Sequence, residues 1–149
     1  VDRMALLDEG PYEVDSRPEE LGGVSVGEAL LAVHRSYLKQ FQAMLAAGIK
    51  VKGMAHLTGG GFTDNIPRVL PNGCGVRVER GSWQVPPIFR LIQKLGGVDE
   101  DEMHRAFNMG VGYVFILAPE DAARVAELDL EYSIGEIGQV VEGEGVAYE

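Results

Sequence analysis

The sequence predicts an α+β domain: a sandwich of helices on a mixed, largely antiparallel sheet. Short apolar runs of strand length alternate with helical repeats of apolar residues, and hairpin-type turn signals such as Asn72-Gly73 lie between them. A chain of 149 residues is long enough for one domain with a real core.

Taken in order, residues 1–23 hold Pro11, Pro18, Gly22-Gly23 and seven acidic side chains, and read as an irregular acidic arm with a helical stub at 4–7. The main domain runs over 24–149. Ser25 and Glu28 form a capping-box pattern. Ala29, Leu30, Val33, Tyr37, Phe41, Met44 and Leu45 then recur at helical spacing up to Gly48, predicting one long helix with His34 and Tyr37 as packing residues. Residues 49–57 read as a strand, 64–70 as a short helix ending before Pro71, and 75–79 as a strand. Pro86-Pro87 opens a helix to Leu95, stopped by Gly96-Gly97. Asp99 to Phe107 reads as a helix whose acids favour its N-terminus. The unbroken apolar run 113–117 predicts a strand buried on both faces. Pro119 opens a helix to Leu128, and strands near 133–141 and 146–148 close the chain.

Composition excludes several classes. No apolar run approaches the roughly 20 residues of a membrane helix, and no signal-peptide pattern opens the chain, so a cytoplasmic setting is expected. The single Cys74 rules out an internal disulfide and any multi-cysteine metal site. A net charge of −10 argues against general nucleic-acid binding. Yet residues 24–98 carry nine basic side chains and three acidic ones, so an acidic protein has one cationic half. The chain opens at Val1 rather than Met, which reads as a processed chain or a piece of a longer one.

Within that half lies Leu57-Thr58-Gly59-Gly60-Gly61-Phe62, where a strand feeds three glycines that open into a helix. Glycines admit positive φ and leave their N–H groups uncovered. A helix start adds unpaired donors and partial positive charge. This suits a phosphate or a developing oxyanion, and equally makes a tight strand-to-helix turn. It is neither a Walker loop nor a dinucleotide fingerprint. His56 and Thr58 stand beside it, the one able to titrate near neutral pH and the other to hydrogen-bond.

The stretch Ala55-His56-Leu57-Thr58-Gly59-Gly60-Gly61-Phe62, followed by Asn65-Ile66-Pro67-Arg68-Val69-Leu70-Pro71, resembles the central signature of the aminoimidazole ribonucleotide synthetases, or phosphoribosylformylglycinamidine cyclo-ligases. Further matches follow in the same order: Gly27-Glu28-Ala29-Leu30-Leu31, Tyr37-Leu38-Lys39, Trp83 with Pro86 and Ile88-Phe89, Glu102-Met103, and Phe107-Asn108-Met109-Gly110-Val111-Gly112. Two positions depart from the family pattern. Val33-His34 stands where a Pro-Thr pair is usual, and Ala106 where a Thr is usual.

The resemblance implies the C-terminal, substrate-side domain of an ATP-dependent ligase of purine biosynthesis, expected to be inactive alone. ATP and Mg²⁺ are expected mainly in an N-terminal domain outside this sequence, with no metal site or cofactor in this chain. The implied partners are a small ribonucleotide substrate, the N-terminal domain, and a second copy in a homodimer, with no nucleic acid or membrane. His56 is the expected catalytic residue. Thr58, Gly59, Gly60, Gly61, Asn65, Arg68 and Asn108 are the expected substrate or phosphate contacts, although both asparagines equally suit buried backbone in turns. Trp83 is expected in the core or at a domain interface. Two rival readings remain at this stage. One is a sister ATP-using enzyme, such as selenophosphate synthetase, thiamine-monophosphate kinase, the hydrogenase-maturation dehydratase or formylglycinamide ribonucleotide amidotransferase. The other is a ligand-binding domain without activity.

Overall fold

The computed structural model describes residues 3–132 and 134–149. Its helices are α1 (Val26–Leu30), α2 (Leu38–Ala46), α3 (Gly61–Asn65), α4 (Pro87–Gly96), α5 (Glu100–Ala106) and α6 (Pro119–Val125). Its strands are β1 (Gly53–His56), β2 (Cys74–Val78), β3 (Tyr113–Ile116), β4 (Gly138–Glu142) and β5 (Val146–Tyr148). Two small sheets result. β1 and β3 pair antiparallel with His56 opposite Tyr113. β2 is central in the other sheet, antiparallel to β4 and parallel to β5. The fold is therefore α+β with mixed sheet, as the sequence predicts.

Two apolar clusters hold it together. The larger joins Ala55 and Leu57 of the β1 region, Phe62 and Ile66 after the glycines, Val76 and Val78 of β2, Leu91 and Ile92 of α4, and Met103 of α5. Phe62, Leu57 and Met103 are fully buried, and each contributes about 1.5–3 kcal/mol by leaving water. The smaller cluster joins Met44 of α2, Ile49 and Val125 of α6.

Several elements differ from expectation, for physical reasons. The long helix is two: the chain turns at Leu31, has no regular structure over 32–37, and re-enters helix at Leu38. The capping box on Ser25 and Glu28 forms as expected. Beyond it the periodic apolar pattern finds no single surface to cover, since Leu31 is 81% and Val33 92% exposed. The α1 region packs on the larger cluster and α2 on the smaller.

The acidic arm is irregular in outline but anchored. Leu6, on a π-helical turn at Met4–Asp8, is fully buried beneath α4, and Leu21 joins the same core. Val1 and Asp2 of that arm, and Ser133 at the expected start of the first closing strand, lie outside the described residues. β3 is half-buried throughout rather than buried on both faces. It has one partner strand, and its residues divide between the clusters, Val114 to the larger and Phe115 to the smaller. The strand expected over 49–57 shortens to its second half, because Ile49 serves the small cluster and the Lys50 N–H donates to Asp121 Oδ2. The helix expected over 64–70 begins earlier, at Gly61, and gives way to a 3₁₀ turn at Pro67–Val69.

Candidate functional site

The β1–α3 connection is a braced loop. Leu57 is fully buried, and its N–H donates to the Gly112 carbonyl at 2.9 Å. The chain then surfaces at Thr58 and Gly59, and turns back through Gly60 (φ 91°) and Gly61 (φ 50°). These two angles suit glycine alone at low cost. Gly61 is also jammed against α5: a Cβ there would lie 2.1 Å from the His104 carbonyl oxygen and 2.7 Å from that of Phe107. Its N–H donates to the Thr58 carbonyl at 3.0 Å. Among the described residues, the N–H groups of Gly59 and Gly60 take no protein acceptor. The donors available to an anion are thus those of Gly59 and Gly60, with the Thr58 hydroxyl beside them, and not that of Gly61. α3 is a single turn, so little dipole stands behind the loop. The Asp64 side chain lies against Gly60, 2.6 Å from where a Cβ would stand, and its charge opposes an anion on that side.

The two asparagines expected to bind substrate also bond to the backbone. Asn65 is buried, and its Nδ2 donates to the Gly61 carbonyl at 2.7 Å and reaches that of Gly59 at 3.3 Å. Asn108 accepts from the Gly110 N–H at 3.0 Å, closing the turn before β3. Both shape the loops. Arg68 is exposed on the following 3₁₀ turn and makes no ion pair among the described residues. Trp83 is a core residue, packed on Phe62 and His104, with its indole N–H donating to the Met109 carbonyl at 3.0 Å. That bond supports Met109, which is non-glycine yet has φ 49°.

His56 ends β1 with its side chain exposed. Its Nε2 lies 2.9 Å from Nε2 of His34, which the irregular segment between α1 and α2 delivers. His56 stacks on Tyr113 at 5.8 Å between ring centroids, and His34 meets Tyr37 edge-on at 5.8 Å. These rings, with Arg35, Leu38, Phe41, Met54 and Phe115, line a surface groove of about 280 Å³. Burial pushes the Tyr37 phenol above its ordinary value, partly opposed by the nearby Arg35 charge. The bareness of Gly112 seats Tyr37, since a Cβ there would fall 1.8 Å from Tyr37 Oη. His34 is the residue that sequence reasoning misplaced. The helical period assigned it to packing, and no local signal announced a break at residues 31–37.

Of the nine basic side chains in the cationic half, four have an acidic partner in the fold and a fifth an aromatic one. Lys39, Arg77, Arg80 and Lys94 pair with Glu131, Glu149, Asp101 and Glu20 respectively, acids from other parts of the sequence. Arg35 lies over the Tyr132 ring at 4.8 Å. Among the described residues no three His, Cys, Asp or Glu side chains converge. No helix among them is long and apolar enough to cross a membrane.

The family model for the AIR synthase related protein, C-terminal domain, matches residues 4–149. The chain belongs to this family, as its C-terminal domain. Among curated relatives, the chloroplastic phosphoribosylformylglycinamidine cyclo-ligase of Arabidopsis thaliana is 45% identical over 130 residues, covering 86% of this chain and 33% of that protein. The cyclo-ligase of Thermoanaerobacter sp. (strain X514) is 43% identical over 147 residues, covering 96% and 42%. The chloroplastic/mitochondrial cyclo-ligase of Vigna unguiculata is 46% identical over 150 residues, covering 98% and 37%. The chain thus spans well under half the length of each of these relatives. The braced glycine loop and the exposed histidine are this family member's most chemically equipped surface.

Proposed function

We propose that the protein carrying this domain is an ATP-dependent cyclo-ligase of purine biosynthesis, closing formylglycinamidine ribonucleotide to aminoimidazole ribonucleotide. The observation that carries this reading is the adjacency of an exposed histidine and two unpartnered loop N–H groups, three and four residues further on, in a chain whose relatives bear the cyclo-ligase name. ATP, bound mainly by the N-terminal domain, would activate the formyl-amide oxygen as a phosphorylated imidate. The amidine nitrogen then attacks that carbon, phosphate leaves, and the nitrogen sheds a proton.

The residues of this chain hold and move groups around that event. The N–H groups of Gly59 and Gly60, with the Thr58 hydroxyl, orient an anionic portion of the ribonucleotide. Asn65 and Asn108 keep those donors in place before ligand arrives, which lowers the ordering cost of binding. His56 carries the proton or steadies developing charge. Arg68 offers a free cation near the loop. The isolated domain, without an ATP site, is inactive.

The test is ATP-dependent ring closure by the full-length protein and by this domain, with His56→Ala in the full-length protein. Turnover only in the full-length protein, falling at least about tenfold (roughly 1.4 kcal/mol) in the variant, is expected. Full-length protein that binds the ribonucleotide without closing it would assign the domain to a sister activity.

A further inference from the structure

We propose that His34 is the positioning residue of His56, fixing its tautomer and aim; this rests on the reading of His56 as the group that handles the proton. The two Nε2 atoms stand 2.9 Å apart, a hydrogen-bond distance. One proton lies between two such nitrogens in a neutral pair. One ring therefore presents Nε2–H, while the other accepts there and carries its proton on Nδ1. The two tautomers are locked as complements, and Nδ1 is left as the atom through which His56 meets a ligand.

Both rings are held as well as bonded. His56 lies against Tyr113 at an interplanar angle of 27°, while His34 is edge-on to Tyr37 at 73°. Tyr37 in turn is seated on bare Gly112, whose carbonyl accepts the Leu57 N–H at the mouth of the glycine loop. His34 arrives from outside the β1–β3 sheet on the irregular stretch between α1 and α2. It is exposed and packs in no core. Its contacts are with the site.

The experiment uses the full-length protein with His34→Ala, His34→Phe and His34→Gln, read by turnover and by nitrogen NMR of ¹⁵N-histidine-labelled protein in alkaline buffer. His56 should show a single tautomer in the parent and averaged ring-nitrogen signals in His34→Ala and His34→Phe. Turnover should fall roughly five- to tenfold in these two with KM nearly unchanged, and return to within about twofold in His34→Gln, whose amide can restore the bond. Rescue by Phe but not Gln would make His34 a packing residue and overturn the proposal, as would His56 nitrogen signals unchanged in His34→Ala. If His56→Ala left turnover intact while His34→Ala still released the tautomer, the pairing would stand and the assignment of His56 to the reaction would fail.

Discussion

The glycine loop and the histidine groove are built in opposite ways. In the loop, backbone meets backbone: Gly61 presses on α5 carbonyls, and a buried asparagine ties the turn together. In the groove, rings at the surface lean on one another at 5–6 Å. The first arrangement fixes donors through the backbone. The second holds His56 through other side chains, a stacked Tyr113 and a hydrogen-bonded His34. Gripping an anion and passing a proton, as proposed, uses one of each kind.

This contrast can be broken by substitutions of the same size placed in each region. Gly61→Ala should be the most damaging, costing about 3 kcal/mol in denaturant unfolding, because its Cβ meets rigid carbonyls and its φ is left-handed. Gly59→Ala, two residues earlier, has open space around it and should stay within about 0.5 kcal/mol. Equal losses for the two would refute the account of the loop.

Asn65→Ala should cost about 2 kcal/mol, since it removes the amide that ties the Gly61 and Gly59 carbonyls together and empties a buried polar site. Gly112→Ala also creates a sub-contact distance, but against the tip of Tyr37, which can rotate outward. About 1 kcal/mol is expected, with the His34–His56 bond loosened. A loss as large as that of Gly61→Ala would mean the groove is as rigid as the loop.

The smallest effect belongs to the capping box. Backbone and side-chain bonds from Ser25, then the Arg17 charge, lower the Glu28 carboxyl below its ordinary value. A lowered folded value means that the contribution is present above the ordinary glutamate range and is lost as pH falls through the folded value. The stability difference between the parent and Glu28→Gln should therefore be small at neutral pH and vanish in acid. A difference growing in acid would contradict this.

The same contrast explains what the sequence made legible. Glycine, proline and asparagine act locally, so the loop, its helix start and the caps at Ser25 and Gly97 could be read from neighbours in the chain. That Asn65 and Asn108 hold the backbone of their turns was open, because the same amide serves either use. The histidine pair joins residues 22 positions apart, and depends on a helix that stops at Leu31. The apolar period concealed that break: helical spacing continues through Val33 although nothing covers it. Likewise, Gly112 looks like a turn residue until Tyr37 is found upon it. Charge pairing was hidden for a similar reason, since the acids that meet Arg77, Arg80 and Lys94 lie far off in sequence.

The most direct measurement is an amide NMR titration of the labelled full-length protein with its ribonucleotide substrate. The account predicts that the Gly59 and Gly60 amides shift with saturation while the Gly61 amide, already donating to Thr58, moves little. Saturation that leaves Gly59 and Gly60 unmoved would contradict the loop as the anion seat.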